Sequence, residues 1–594
     1  MRPWSVTVAT VLIVGLLVAE GGTREVGNAH KEGGGKDVRD VHKELGTSEA
    51  GHALTDLGTS EVRGAHTEAV TSESGDAHTV EGTSEEKDGH EKGETGEERA
   101  AQQPRRVLFL APLSPRSHKN FFMGIVDAVA DSGNHVTLVT SYEAPKPRKN
   151  VREVVVSLDI HHLAPNMFTK TKTAALATFM ASAPELCSEA LGKEQVQELL
   201  EEEFDVALVS AAFSHCFLSV VHRLKIPFIW VSPAVQLGLT DQWIGNPSFP
   251  SFAGFGFMEA KHPLTFSQRA FATFGNILFS QLVTLYTVPR MEDACRRRGL
   301  CPEDMPSLSE MQYNASLLMA NGVRTLDNPA RPFMPNVISV GGINCRPSQP
   351  LPQDLGDWVQ GAGDDGFIFF SLGTAVVPSD MPEKFRQILV KVFGSLRQRV
   401  LWKWDQDDMP DLPANVRLGK WLPQQDILGH PSLKLFITHG GLLSTLESSY
   451  HGIPVLGLPV MGDQQTNMLA VSSEGWGRFL VWDQLTEEAL LKEILMVMTD
   501  QSLKAEAQRR SRVMKDQPQT PAEVASYWVN YVITHKGAPH LRSPLTYMSW
   551  YQVYNADVWL TVTTAMLVVL YLLFRCFFSM FSRLCSSKGK RKLD

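Results

Sequence analysis

Cysteine is scarce in this chain, and no set of residues has the spacing of a metal site. The 594 residues include seven cysteines, and two of them, Cys576 and Cys585, lie near the C-terminus. The other five are an odd number and are widely separated, so their pattern predicts neither a disulfide framework nor a metal cluster. We therefore expect no metal and no other cofactor.

Positive charge is also limited. The chain has 56 Lys and Arg residues against 65 Asp and Glu, a net charge of −9, which argues against a nucleic-acid partner. Nearly all of this acidity lies in residues 23–103, which contain 14 Glu and 5 Asp but only 5 Lys and 4 Arg. With 43% hydrophobic residues overall, the chain is long enough for at least two globular domains.

Residues 23–103 also lack Phe, Trp, Tyr and Ile. Histidine recurs in this segment on a 12-residue period, at His30, His42, His66, His78 and His90. A segment of this composition cannot bury enough apolar surface to offset its ordering entropy, so we predict a disordered repeat. A solvated spacer is favoured over weak metal binding, because flexible positions separate the histidines.

The apolar run near the N-terminus is too short to span a membrane comfortably. It extends from Val6 to Ala19, follows Arg2 and precedes small residues. This order is typical of a signal peptide over residues 1–22, with a retained anchor as the alternative.

The C-terminal region contains a candidate membrane span. Val558–Phe574 is a run of 17 residues without a charge, and a transmembrane helix is predicted over residues 557–576. Basic residues follow in 577–594, which predicts a cytosolic tail and a lumenal large domain. Lys590 and Lys592 fit the dilysine retrieval pattern of the endoplasmic reticulum, and a basic stop-transfer tail is the alternative.

The stretch from Trp421 to Asn467 reads as a βαβ unit. Apolar strands are predicted at Leu435–Thr438 and Pro454–Leu458, with an amphipathic helix between them. The first strand precedes a His-Gly-Gly turn, and the second precedes a Gly-Asp-Gln loop. Because ligands of open α/β sheets bind at the carboxyl ends of the strands, a binding site is predicted at this edge.

Similar units occur elsewhere in the chain. A strand from Arg105, a polar loop and a helix over Phe121–Asp131 form a first βα unit, and Phe204–Leu224 repeats that order. The Pro- and Gly-rich segment Gly341–Trp358 reads as an interdomain linker. Phe266–Val288 is mostly apolar, but its polar residues favour an amphipathic helix over a membrane span.

The βαβ stretch resembles the signature of the UDP-glycosyltransferases, the glucuronosyl- and glucosyltransferase family. The matching residues are Trp421-x-x-Gln424, Thr438-His439-Gly440-Gly441, Glu447, His451-Gly452-x-Pro454 and Asp463-Gln464. The resemblance covers about Arg105 to Arg542. It implies an α/β fold of GT-B type, in which two Rossmann-like doubly wound domains face a cleft, followed by a C-terminal transmembrane helix.

The chain is divided on this basis into seven segments. They are a signal peptide (1–22), disordered acidic repeats (23–103), an N-terminal acceptor-binding domain (104–345), a C-terminal UDP-sugar-binding domain (346–520), a closing helix with a juxtamembrane segment (521–556), a transmembrane helix (557–576) and a basic cytosolic tail (577–594).

The resemblance assigns roles to the donor residues. It implies that Trp421 stacks on uracil, that Gln424 bonds to the base or ribose, and that Glu447 accepts hydrogen bonds from the ribose. Asp463 and Gln464 would bind the transferred sugar. The residues implied to face the diphosphate are His439, Gly440, Gly441, Ser444 and the turn residues Ser371, Gly373 and Thr374.

The acceptor half departs from the family pattern. His118, in the loop after the first strand, matches the catalytic base, but Ser210 occupies the position of the acidic residue that usually orients it. Replacement of that acid by His215 through a different geometry is the alternative, and a loop histidine without a role is the favoured interpretation. Leu443 also stands where the family often has Asn, which removes one possible phosphate contact.

The implied activity is inverting transfer of a hexosyl or glucuronosyl group from a UDP-sugar to a small lipophilic hydroxyl acceptor. The alternative is a catalytically weakened homologue that binds a UDP-sugar or a lipophile. We also expect a single-pass type I protein of the endoplasmic reticulum membrane with a lumenal catalytic domain, glycosylation at Asn314 and, as an open possibility, a homo-oligomer.

Overall fold

A computed structural model describes residues 104–144, 146–158, 168, 172–234, 238–254 and 263–589. The predicted signal peptide, the repeats of residues 23–103 and the dilysine pair Lys590 and Lys592 lie outside these residues.

The N-terminal domain is built on a parallel sheet of seven strands within the described residues. The strands are β1 Arg106–Ala111, β2 His135–Thr140, β3 Val151–Val155, β4 Val206–Ser210, β5 Phe228–Ser232, β6 Leu317–Ala320 and β7 Val337–Ser339. Their order is β3-β2-β1-β4-β5-β6-β7, so the winding direction reverses between β1 and β4. Ligands of doubly wound sheets bind at such a reversal, beyond the carboxyl ends of the strands.

Helices cover both faces of this sheet. They are α1 Arg116–Asp131, α2 Lys172–Leu191, α3 Glu194–Glu198, α4 Leu218–Leu224, α5 Gly238–Ile244, α6 Pro250–Ala253, α7 Phe266–Leu282, α8 Val288–Arg297 and α9 Leu308–Met311. A π-helical turn over Val283–Thr287 joins α7 to α8. Strands β4 and β5 are buried along their whole length, as expected where both faces of a parallel sheet are covered.

The C-terminal domain contains a second parallel sheet of six strands. They are β8 Phe367–Ser371, β9 Arg399–Lys403, β10 Val416–Gly419, β11 Leu433–Thr438, β12 Val455–Gly457 and β13 Gly477–Phe479, in the order β10-β9-β8-β11-β12-β13. Here the winding reverses between β8 and β11, and Ser371 pairs in register with Thr438. The turns that follow these two strands therefore lie side by side.

Side chains alternate across β8 and divide the core into two layers. Ile368 and Phe370 pack in one buried cluster, while Phe367 and Phe369 pack in the other. The helices of this domain are α10 Gln353–Gln360, α11 Glu383–Ser395, α12 Gln424–Leu428, α13 Leu442–His451, α14 Gln464–Ser473, α15 Glu487–Thr499 and α16 Gln501–Lys515. Helix α10 begins inside the segment that the sequence predicted as linker, because Leu355 and Val359 are buried in the core.

After α16 the chain returns to the N-terminal domain. Helix α17 spans Pro521–Thr534 and starts with a capping box between Thr520 and Glu523. Its buried residues Ala525, Val529 and Val532 belong to the same apolar cluster as strand β1. This helix therefore packs across the N-terminal domain, and the chain crosses between the two domains twice.

Two helices in the described part of the chain are long and apolar enough to cross a membrane. One combines α7 and α8 over Phe266–Arg297, and the other lies within α19, which spans Ala556–Gly589. A short helix, α18 Trp550–Val553, precedes α19. The candidate span in α19 buries none of its surface in the protein, whereas α7 packs Ala272 and Ser280 against the domain. The helix continues past the predicted boundary at residue 576.

The predicted fold class, two doubly wound α/β domains followed by an apolar C-terminal helix, is confirmed. The prediction for the cysteines was wrong, because Cys187 bonds to Cys216 and Cys295 bonds to Cys301. The first disulfide joins α2 to the turn before α4, and the second closes the loop after α8. The pairs could not be read from spacing because each depends on how separate elements pack.

Candidate active site

A cleft of about 890 Å³ runs between the two domains, beyond the carboxyl ends of both sheets. The predicted residues that line it are His118, Gly373, Thr374, Trp421, Gln424, His439, Gly441, Ser444, Glu447, Asp463 and Gln464. Residues more than 300 positions apart in the sequence, such as His118 and Gln464, therefore share one cavity.

The turns after β8 and β11 enclose the ring of His439. A Cβ atom added at Gly373 or at Gly441 would lie 2.5 Å from an atom of that ring, so glycine is required at both positions. Gly373 also has a φ of +80°, which disfavours other residues. Gly441 caps α13. The Leu442 amide of this first helical turn donates to the Asp463 carboxylate, and the amides of Leu443 and Ser444 in the same turn suit an anion.

Lys403 is a cation of this region that the sequence analysis missed. It is the last residue of β9, its Nζ donates to the Gly373 carbonyl at 2.7 Å, and it lies 5.3 Å from the centroid of the Trp421 ring. Burial and the charge of Arg116 lower the pKa of Lys403 to about 8. Burial and the charge of Lys403 in turn lower the pKa of His439 to about 4. No local pattern marked Lys403, because it acquires these neighbours only when β9 pairs with β8.

Glu447 is a buried carboxylate held by two amide groups. Gln424 Nε2 donates to its Oε2 at 2.6 Å, and Asn344 Nδ2 donates to its Oε1 at 3.1 Å. Burial raises the pKa of Glu447 to about 7, against the smaller effect of these hydrogen bonds. Gln424 Nε2 also lies 3.4 Å from Ser444 Oγ. Asn344, which lies in the linker, was not predicted as a site residue.

Trp421 is 67% exposed at the wall of the cleft and is not a core residue. One ring face can therefore receive a planar apolar group, which is the condition for stacking. Stacking of Trp421 on uracil stays a prediction.

The loop after β12 carries the predicted sugar-binding pair. Gln464 Oε1 accepts from the backbone amides of Val460 and Met461, at 2.8 and 2.9 Å, which leaves Nε2 as the group available to a ligand. Asn467 Nδ2 donates to Asp463 Oδ2 at 2.7 Å and to the Gly440 carbonyl at 3.0 Å. Asn467, also missed by the sequence analysis, thus ties this loop to the turn after β11.

His118 lies in the first turn of α1 at the opposite wall of the cleft. Its Nδ1 is buried and has no hydrogen-bond partner among the described residues, so Nε2 is the nitrogen that can meet a ligand. Burial lowers the pKa of His118 to about 4. Ser210 ends β4 but does not line the cleft, and its Oγ accepts from the Ala212 amide at 3.3 Å rather than from His118.

His215 does not replace the missing acid. Its ring is buried between Trp230 and Trp243, with centroid distances of 5.2 and 4.7 Å, and it does not line the cleft. The sequence predicted a loop histidine, whereas the structure places His215 in the core. Asn314 is exposed before β6, as a glycosylation site must be. Leu443 lines the cleft and packs against the acceptor-domain cluster.

No group of three or more His, Cys, Asp and Glu residues suited to holding a metal ion occurs within the residues that the structure describes. The positive groups near the two glycine turns are instead Lys403 and the first amides of α13.

Two doubly wound domains that meet at a cleft, with an indole, a buried carboxylate and a helix N-terminus on one wall, are the architecture expected of a nucleotide-sugar glycosyltransferase of the GT-B type. Comparison with known families agrees. Residues 121–592 match the model of the UDP-glucoronosyl and UDP-glucosyl transferase family. The chain belongs to this family and is a UDP-sugar glycosyltransferase. His118 lies just before the matched residues.

Individual relatives support the same assignment. UDP-glycosyltransferase UGT5 of Dactylopius coccus is 31% identical over 478 residues, which cover 76% of this chain and 88% of the relative. UDP-glucuronosyltransferase 2B16 of Oryctolagus cuniculus is 31% identical, with 68% and 76% covered. The 2-hydroxyacylsphingosine 1-beta-galactosyltransferase of Homo sapiens is 30% identical, with 76% and 84% covered.

Solved structures are more distant. The calicheamicin glycosyltransferase CalG4 is 16% identical with a TM-score of 0.48, over 73% of this chain and 99% of that one. A UDP-glucose: anthocyanidin 3-O-glucosyltransferase in complex with UDP is 15% identical with a TM-score of 0.47, over 73% and 99%. Similarity at this level assigns no substrate.

Proposed function

We propose that this protein transfers a hexosyl or glucuronosyl group from a UDP-sugar to the hydroxyl of a small lipophilic acceptor, with inversion at the anomeric carbon. The main support for the proposal is that His118 and the donor residues Trp421, Glu447 and Asp463 line the same cleft. A base on one wall and a donor site on the other suit a direct displacement.

In this reaction His118 Nε2 removes the proton from the acceptor hydroxyl as its oxygen attacks the anomeric carbon. The bond from that carbon to the diphosphate breaks, and UDP leaves with the electron pair. The negative charge that develops on UDP is stabilised by the first amides of α13 and by Lys403, and no metal takes part in the proposed step. At neutral pH His118 is uncharged and can accept the proton, because its pKa is lowered to about 4.

An apolar acceptor fits the wall of the cleft on the side of His118. Leu239, Phe249, Phe252, Leu264 and Phe279 line this part of the cavity. Apolar side chains gain by covering a lipophilic molecule, while the base needs only one hydroxyl within reach. The donor sugar stays open between neutral and acidic hexoses, since relatives named for glucuronosyl and galactosyl transfer are almost equally similar.

A second candidate function is a homologue that binds a UDP-sugar but transfers it slowly. It is favoured by the unpaired Nδ1 of His118 and by Ser210, whose hydroxyl is engaged by the backbone. Without a carboxylate the imidazolium that forms during transfer has no charged partner.

We place the protein in the endoplasmic reticulum membrane, with the catalytic domains in the lumen. Helix α19 is the proposed span, and exposed Tyr547, Trp550 and Tyr554 precede it, as is typical where a helix enters a membrane. The two disulfides fit an oxidising compartment. Glycosylation at Asn314 and homo-oligomer formation stay predictions.

The test is a transfer assay on full-length protein in membranes, with UDP-glucose, UDP-galactose and UDP-glucuronic acid against phenol and sterol acceptors. Transfer should occur with inversion, should persist in EDTA and should fall about 10²- to 10⁴-fold in His118→Ala. His135→Ala removes an exposed histidine of β2 and is the matched control. UDP binding without any transfer would exclude this proposal and support the second candidate.

A further inference from the structure

Asn344 contacts the donor site from outside the donor-domain sheet. It lies between β7 and α10, in the segment that leads from one domain to the other. Its Nδ2 donates to Glu447 Oε1, while Gln424 Nε2 donates to Oε2, so each carboxylate oxygen is held by one amide. These two bonds fix the plane of the carboxylate before any donor arrives.

The linker that carries Asn344 is bonded along its length to α12. Gln425 Nε2 donates to the Asn344 carbonyl at 2.8 Å, and the Arg346 amide donates to Gln425 Oε1 at 2.8 Å. Arg346 also forms a two-pronged ion pair with the buried Asp426, at 2.6 and 3.0 Å. The successive residues Gln424, Gln425 and Asp426 of α12 bond to Glu447, to the linker backbone and to Arg346, respectively. These bonds hold the linker and α12 together as one rigid unit.

The residues on either side of Asn344 are fixed as well. Ile343 packs against α1, the helix that carries His118, so closely that a Cβ added at Gly124 would lie 3.0 Å from it. Cys345 packs with Leu442 and Leu446 on α13. Because its neighbours are anchored in both domains, the Asn344 amide needs little further ordering to hold Glu447.

We propose that Asn344 is a positioning residue for donor binding, whose amide holds Glu447 in the orientation that accepts the ribose hydroxyls. The inference rests on the proposed role of Glu447 in the donor site. Asn344, a linker residue that belongs to no local motif of the donor domain, would then be one of the residues that determine the affinity for UDP.

The surroundings of Glu447 give this role a distinct pH signature. The groups that act on the Glu447 carboxyl are the Gln424 and Asn344 amides and the Arg346 charge. The Cys345 thiol also interacts with this carboxyl, and burial and the charge of Glu447 raise the pKa of that thiol. Burial raises the pKa of Glu447 to about 7, and the ribose hydroxyls donate to its charged form. UDP affinity should therefore increase as the pH rises through about 7.

The test measures the Kd of UDP by calorimetry from pH 6 to 8.5, with full-length protein in detergent. In Asn344→Ala the Glu447 carboxylate loses one hydrogen-bond donor, so its pKa rises. The midpoint of the UDP-affinity profile should then move to higher pH, and the affinity for UDP at pH 7 should fall about tenfold. The KM for the UDP-sugar should rise in parallel, with kcat at saturating donor little changed. Gln349→Ala, an exposed amide of the same linker, is the matched control.

A second variant keeps the shape of the side chain. In Asn344→Asp the new carboxyl faces the Oε1 atom of Glu447, so the two groups share a proton at low pH and repel each other once both are charged. UDP affinity should then fall as the pH rises, the reverse of the wild-type trend. Melting temperatures establish that both variants are folded.

Unchanged Kd values and pH midpoints in both variants, compared with Gln349→Ala, would overturn the inference. A lower melting temperature without a shift of the midpoint would overturn it too, because that result marks a purely structural residue. If the wild-type protein binds UDP but transfers no sugar, the proposed function fails while Asn344 is still judged by Kd. If it binds no UDP, both fail.

Discussion

The imidazole of His118 lacks the partner that its proposed role as a base calls for. A base that gains a positive charge during the reaction benefits from a nearby carboxylate, which stabilises the cation and holds the ring in one tautomer. Within the residues that the structure describes, Nδ1 is buried without a hydrogen bond, and burial lowers the pKa of His118 to about 4. A pKa this low makes the imidazole uncharged at neutral pH but also a weak base.

Ser210→Asp should strengthen this base. A carboxylate at the end of β4 favours the imidazolium form of His118, so the pKa of His118 should rise. The acid limb of the kcat/KM profile should then move to higher pH, and kcat at pH 7 should increase at least about tenfold. The measurement is the pH dependence of kcat/KM. Ser210→Asn, which has nearly the same shape but no charge, should leave the acid limb in place. A folded Asp variant with the wild-type profile contradicts the role assigned to the missing acid.

At the scale of elements, local pattern was enough for the strands and turns that build the donor site. Buried apolar runs identified β1 and β11, and the His-Gly-Gly turn after β11 lies where the sequence predicted it. Residues whose role depends on distant partners could not be predicted. Asn344 meets Glu447 from 103 positions away, and Lys403 acquires its neighbours only when β9 pairs with β8.

The same limit applied to the acceptor side. His215 reads as a loop residue because it follows a strand, but Trp230 and Trp243 enclose it once β5 and α5 are in place. Cys187 and Cys216 are likewise brought together by the packing of α2 against the turn before α4 rather than by spacing.

The two disulfides should differ in their contribution to stability. Cys187–Cys216 closes a loop with a sequence separation of 29, whereas Cys295–Cys301 closes one of 6. Because a longer loop loses more chain entropy in the unfolded state, the first bond should stabilise by about 1 kcal/mol more. We expect the double serine variant of Cys187 and Cys216 to melt at a lower temperature than that of Cys295 and Cys301. Equal melting temperatures would contradict this entropic account.

At the scale of the whole molecule, buried histidines make the fold sensitive to acid. The pKa of His215 is lowered to about 3 by burial, with a smaller opposing effect of Gln312, and the pKa values of His439 and His451 are lowered to about 4. Below about pH 6.5 these histidines bind protons in the unfolded chain but stay unprotonated in the folded protein until the pH approaches their lowered pKa values. Stability is therefore full above that pH and is lost progressively as the pH falls toward 3. Glu447, Asp327 and Asp463, whose pKa values are raised by burial, act in the opposite direction.

His215→Phe isolates this effect away from the cleft. Phenylalanine fits between the two tryptophans and does not titrate, so the acid-unfolding midpoint should move to lower pH while activity at pH 7 stays within about twofold. Tryptophan fluorescence during acid titration measures the midpoint. A midpoint equal to that of the wild type would show that this buried histidine does not govern acid unfolding.

The double passage of the chain between the domains sets how the cleft can open. The first crossing passes through Gly342, and the second begins at the end of α16, where a Cβ on Gly342 would lie 2.5 Å from Met514 Cε. Two covalent connections that touch one another act as a single short hinge. We expect the two walls of the cleft to swing about this line, which changes the distance between His118 and the residues of the C-terminal domain.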